Sequence, residues 1–144
     1  MTGRFGTTSM SLKCLISAVG AVLIMAIPSM AQDTIDGFAG RTYKGPSHTV
    51  RYRLFIPKGY DPAKNYPLVL WLHGSGSVGN DNRKQISSAS TLGTHTWTRP
   101  ENQAKYPAFV LAPQSPPGRT WTSPGELQTV LEILEALQKE FSID

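Results

Sequence analysis

The chain has 144 residues and a formal net charge of +4, with 40% hydrophobic residues, 17% charged residues, 13 Gly and 11 Pro. Those proportions exclude a collagen-like chain and a charge-rich disordered one, and the scattered Gly and Pro exclude a long helical bundle. What remains is one small, turn-rich globular domain.

Residues 1–31 read differently from the rest. Arg4 and Lys13 precede Cys14–Ile27, a 14-residue run of apolar and small residues. Ser29 and Ala31 then occupy the third-last and last positions before polar Gln32-Asp33, as in a secretory signal peptide cleaved after Ala31. A membrane-spanning helix needs about 20 apolar residues, so no stable membrane anchor is expected, and the protein is expected to be exported. Cys14 is the sole cysteine, so the cleaved chain has no disulfide, thiol nucleophile or cysteine-bound metal. Without Arg4 and Lys13, the 14 basic residues become 12 against 10 acids, a net charge of +2. These remaining cations are dispersed and lack an aromatic stacking platform, so nucleic acid is not an expected partner.

Residues 32–48 form a polar, small-residue lead-in with room for one short strand. From Thr49 to Ile56, Val50, Tyr52, Leu54 and Ile56 alternate with Thr49, Arg51, Arg53 and Phe55, which predicts a strand with one wetter face. Pro57–Pro62 is a turn-rich link. Pro67–Leu72 is continuously apolar, as a parallel strand covered on both faces would be, and Ala108–Ala112 is a second such run. Between them, residues 75–106 predict a loop, a short helix within 82–92 and another loop. After Trp121, Ser123 and Glu126 form a capping-box pattern with Pro124 at the first helical position. The apolar face of that helix is expected at Leu127, Val130, Leu131, Leu134, Leu137 and Phe141. This order of elements is α/β.

The strongest local feature runs from Leu70 through His73-Gly74-Ser75-Gly76 to Asn82. A buried strand emerging into glycines lets backbone N–H groups approach a ligand unobstructed. By itself the segment fits an oxyanion-binding loop and an ordinary glycine-rich turn equally. The chain as a whole resembles the first half of the α/β-hydrolases. The resemblance rests on Tyr52–Asp61, Tyr66–Gly76, Gly79-Asn80-Asp81-Asn82 with Gln85, and Tyr106–Gln114 with Trp121. It points to the secreted esterases and predicted peptidases grouped with polyhydroxybutyrate-depolymerase-like and dienelactone-hydrolase-like enzymes.

That resemblance implies the amino-terminal portion of an α/β-hydrolase fold over 49–144, a mostly parallel sheet with flanking helices. It implies an ester or peptide, small or polymeric, as substrate for the parent enzyme, and no cofactor. Ser75 N–H is the first oxyanion donor it implies and Gly76 N–H the second, with His73, Gly74, Asp81 and Asn82 structuring the loop. Gln114 falls near the same crevice without an assigned role. The family's nucleophile lies in Gly-x-Ser-x-Gly, which this sequence lacks, so no member of the catalytic triad is expected here. Ser75–Gly79 lacks the leading glycine, and Gly45–Thr49 precedes a strand rather than following one. Phe141–Asp144 falls where the family continues into its fifth strand. The expected edge of strand 68–72 is therefore open to self-association. A non-catalytic exported binding module on the same half-fold is the alternative.

Neither His48, His73 and His95 nor Asp81 shows metal-motif spacing, and no metal is expected. Asn80, Asp81 and Asn82 fit loop-fixing hydrogen bonds better than a calcium loop. Trp97, Trp121, Tyr60 and Tyr66 are expected to pack or anchor loops rather than line a substrate pocket.

Overall fold

The computed structural model describes residues 1–3, 33–87 and 91–144. The expected signal peptide lies outside the described residues except for positions 1–3. Strands β1 (Thr34–Ile35), β2 (Phe38–Lys44), β3 (Thr49–Phe55), β4 (Leu68–Leu70) and β5 (Phe109–Gln114) form one sheet in the order β1-β2-β3-β5-β4. The pairs β1–β2, β2–β3 and β3–β5 are antiparallel, and β4–β5 is parallel. The sheet is therefore mixed, with its parallel part on the side carrying the glycine-rich loop. The lead-in holds two strands, β1 and most notably β2, which pairs along its whole length with β3.

Alternation along β5 divides the core. Phe109 and Leu111 join Val50, Tyr52, Leu54 and Tyr66 on the face covered by Ile133 and Leu137 of helix α4 (Glu126–Glu140). Val110 and Ala112 face Phe38 and Ile86 on the other side. Ile86 belongs to α1 (Lys84–Ser87), which is followed by α2 (Thr91–Thr98) and α3 (Pro100–Lys105). Side chains thus cover both faces of β5, as its unbroken apolar run predicts.

Four local expectations are corrected. The second loop expected before residue 106 is largely helical, since α2 and α3 occupy 91–98 and 100–105. Glycine is required in α2 at Gly93, where a Cβ would stand 1.9 Å from the Trp71 ring. The capping box does not form: α4 starts at Glu126 behind Gly125 in a left-handed conformation, and the Ser123 hydroxyl accepts the Thr120 N–H at 2.9 Å. The buried stripe of α4 centres on Val130, Ile133 and Leu137, while Leu127 and Leu131 are exposed. Finally, Arg53 on the supposedly wetter face of β3 has no solvent exposure.

Tyr60, Tyr66, Phe109 and Phe141 form an aromatic cluster with ring centroids 5.2–6.2 Å apart. Tyr60 and Tyr66 thus pack in the core, while Trp97 is exposed. Among the described residues, no helix is long and apolar enough to cross a membrane.

Candidate functional site

The chain leaves β4 through Trp71, whose N–H still donates to Leu111 O, and reaches His73. The His73 side chain is buried and held from both ends. Its Nε2 accepts the Ser115 N–H at 3.0 Å, which leaves the proton on Nδ1, 2.7 Å from Gly74 O. Trp121 Nε1 donates to His73 O at 2.8 Å, and the two rings meet edge-on with centroids 4.9 Å apart. Both ring nitrogens of His73 are engaged in holding the loop, and Trp121 anchors it.

Gly74 is extended, and Ser75–Ser77 form a 3₁₀ turn. Ser77 N–H donates back to Gly74 O, and Val78 N–H to Ser75 O. Ser75 and Gly76 open the turn, ahead of its first internal bond, and both are exposed. A trans peptide points its C=O and N–H in opposite directions. Gly74 O, taken by His73 and Ser77, therefore aims Ser75 N–H away from the imidazole. Those two bonds also polarise the peptide, which strengthens Ser75 N–H as a donor. A pocket of about 210 Å³ lies beside it, lined by His73, Gly74, Ser75, Val78, Ser115, Thr120 and Trp121.

The rest of the loop is fixed from below by Gln114, at the end of β5. Its Oε1 accepts Asn82 N–H at 2.7 Å, and its Nε2 donates to Ser77 O at 3.1 Å and Asp81 Oδ1 at 2.9 Å. Gly79 passes so close that a Cβ there would stand 3.0 Å from Gln114 Nε2. Asp81 Oδ1 also accepts the N–H groups of Arg83 and Lys84. Asn82 is left-handed at φ 54°, donates to Tyr52 O and accepts from Gln85. The geometry thus gives Asp81 and Asn82 loop-fixing bonds. Among the described residues there is no group of three or more His, Cys, Asp or Glu able to hold a metal ion. Ser77 is buried, with its hydroxyl donating to Lys84 O.

Sequence reasoning left Gln114 and Gln85 without a role and placed Arg53 on a wetter strand face. Arg53 Nε donates to Asn82 O at 2.6 Å, tying the loop to the sheet. Arg53 and Gln114 did carry a signal, as long polar side chains within strands of otherwise apolar character.

The loop has a pH signature. Burial holds the His73 imidazole below its ordinary 6.5, opposed in part by the Gly74 carbonyl. Below that ordinary value the unfolded chain binds a proton that the folded chain resists, so stability falls as pH falls. Asp81 adds a second loss at lower pH. Burial acts against its charge, but bonds from Gln114, Lys84 and Arg83 and the Lys84 charge hold it below the ordinary 3.8. Its contribution is complete above 3.8 and disappears as pH falls through the lower folded value. Urea midpoints should therefore decline from about pH 7 to pH 5, and His73→Gln should flatten that slope whatever its effect on absolute stability. An unchanged slope would place the titration elsewhere.

No family model matches the chain. It is 33% identical over 95 residues to the probable feruloyl esterase C of Aspergillus terreus (strain NIH 2624 / FGSC A1156), covering 65% of this chain and 33% of that protein. It is also similar to a thermostable esterase of known crystal structure, with a TM-score of 0.71 and 38% identity, covering 76% of this chain and 32% of that one. The chain spans about a third of the length of either relative.

Proposed function

From the α/β-hydrolase fold that this chain shares in part with esterases, we propose that it is the amino-terminal portion of an exported serine hydrolase of carboxylic esters or peptides. Its task is to supply the oxyanion-binding turn. The observation that carries this reading is the Gly74–Ser75 peptide, whose carbonyl is bound by His73 and whose N–H is thereby directed outward at the carboxyl end of β4. Open α/β sheets bind ligands in that position.

The nucleophile, acid and base come from chain beyond these residues. As a serine attacks the substrate carbonyl, its oxygen gains negative charge. Ser75 N–H donates to that oxygen first, and Gly76 N–H assists. Because the donors are already oriented, little reorganisation is required, and one such donor lowers the barrier by about 3–4 kcal/mol. His73, neutral and fully bonded, orients the turn and moves no proton. The adjoining pocket suits the apolar part of the substrate beside the carbonyl.

The test is a chimera joining residues 33–144 to the remaining two thirds of the thermostable esterase. It should hydrolyse aryl esters, and Ser75→Pro should lower kcat about 10²–10³-fold with little change in KM. Proline removes the N–H, and Gly74, at φ −77° and ψ 175°, already has the extended backbone that proline imposes on the residue before it. A folded, active chimera indifferent to Ser75→Pro and Gly76→Pro would overturn the assignment.

A further inference from the structure

We propose that Ser47, at the tip of the β2–β3 hairpin, is a separate nucleophilic site that takes an acyl group from small aryl esters, with His48 as base and Glu126 positioning the imidazole. Ser47 Oγ lies 2.8 Å from His48 Nδ1, and His48 Nε2 lies 2.9 Å from Glu126 Oε1. This Ser-His-Glu series spans a hairpin and a helix and shares no residue with the oxyanion-binding turn.

The local sequence explains the arrangement. Gly45 N–H donates to His48 O at 3.0 Å, closing a four-residue tip, and a Cβ at Gly45 would press on Thr129 of α4 at 3.3 Å. The tip therefore seats on the first turns of α4, and the imidazole is carried over Glu126. The Glu126 side chain has no solvent exposure and that of His48 only 14%, whereas Ser47 is exposed. Arg119 Nε also holds Glu126 Oε1, but Oε2 is buried without a hydrogen-bond partner. His48 Nε2 meets the carboxylate as a close contact rather than an aligned hydrogen bond. In the tautomer that carries its proton on Nε2, toward the carboxylate, the Nδ1 lone pair accepts the Ser47 hydroxyl.

A mere hairpin clasp would need the His48–Glu126 contact alone. Here an exposed hydroxyl also sits on the basic nitrogen, beside the amino end of a 15-residue helix. Ser47 Oγ is 3.8 Å from where a Cβ of Gly125 would stand, which sets the hydroxyl beside the positive end of α4. In the reaction, Ser47 Oγ bonds to the acyl carbon and its proton passes to His48 Nδ1. The bond from acyl carbon to aryl oxygen then breaks, and the phenolate leaves as phenol with that proton. The product is an O-acyl serine, and nothing is oxidised or reduced.

The full chain treated with p-nitrophenyl acetate should release one equivalent of p-nitrophenol and carry one acetyl group, mapped by peptide mass spectrometry to Ser47. Ser47→Ala, a surface change that leaves the fold intact by circular dichroism, should abolish that adduct. His48→Gln should slow its formation about 100-fold. Acetylation confined to lysines or the amino terminus would overturn the proposal, as would a Ser47 adduct forming equally fast without His48.

Discussion

Arg53→Met is expected to lower folding stability by about 2–6 kcal/mol, the cost of leaving two buried carbonyl acceptors without a donor. A small domain holds only about 5–15 kcal/mol in total, so much of the population would unfold under mild denaturant. Arg53 is 0% exposed and splits its donors among four acceptors. Nε reaches Asn82 O at 2.6 Å, Nη1 reaches Asp33 O at 2.7 Å and Phe38 O at 3.3 Å, and Nη2 reaches Asp33 Oδ2 at 2.6 Å. Methionine keeps much of the bulk and supplies no donor. Asp33, 59% exposed, can turn to water, but the carbonyls of buried Phe38 and Asn82 cannot, and each unsatisfied acceptor costs about 1–3 kcal/mol. Arg53→Lys should recover only part of the loss, because an ammonium cannot fork toward acceptors in different directions. Urea denaturation of the three proteins is the measurement, and an Arg53→Met midpoint matching the wild type would refute the hub.

The second large effect concerns the outer edge of β4. Ile143 pairs parallel with Tyr66, through Tyr66 N–H to Ser142 O at 3.0 Å and Asp144 N–H to Tyr66 O at 3.2 Å. Beyond that pair, nothing among the described residues bonds to the free edge of Leu68–Leu70. A groove of about 380 Å³ runs beside it, lined by Leu68, Leu70, Leu131, Leu134 and Ile143 among others. Leu70 is 36% exposed and Leu131 51%. An open apolar edge is a template for strand addition. The purified chain is therefore expected to associate with rising concentration in sedimentation velocity. The double change Leu70→Lys and Leu131→Lys should return it to monomer, since charge on an edge opposes pairing. A wild-type chain that stays monomeric and melts cooperatively would instead support a self-sufficient binding module.

Legibility in the sequence followed side-chain chemistry. β5 and β4 could be read because Ala108–Ala112 and Pro67–Leu72 are apolar without interruption, and α4 because its leucines repeat at helical spacing. The face of α4 was misjudged for a physical reason. Leu127 and Leu131 belong to the apolar repeat, yet Leu131 lines the open groove beside β4 rather than the closed core. In α2, Thr-Leu-Gly-Thr-His-Thr-Trp-Thr has no apolar period and several β-branched residues, so only packing against Trp71 reveals it. The short α3 did carry signals, with Pro100 opening it, Glu101 in its first turn and Lys105 in its last. At the candidate site, the glycine-rich loop could be located from sequence. The orientation of the Gly74–Ser75 peptide could not, because it depends on His73 meeting Ser115, 42 residues away.

The sheet's connectivity also bears on the order in which it forms. The β2–β3 hairpin closes over a four-residue tip, whereas β4 meets β5 only after residues 71–108 have been drawn into a crossover. Local pairs form quickly, and pairs across long loops wait on the entropy of closing them. Arg53 is therefore carried into the β2–β3 hairpin while still hydrated, and three of its four bonds, those to Asp33 and Phe38, need only the segment from residue 33 to residue 55. Its bond to Asn82 O awaits the loop that Gln114 brings up from β5. Dehydration of this one guanidinium is thus a late event, and the step that seals the sheet also sets the candidate loop in place.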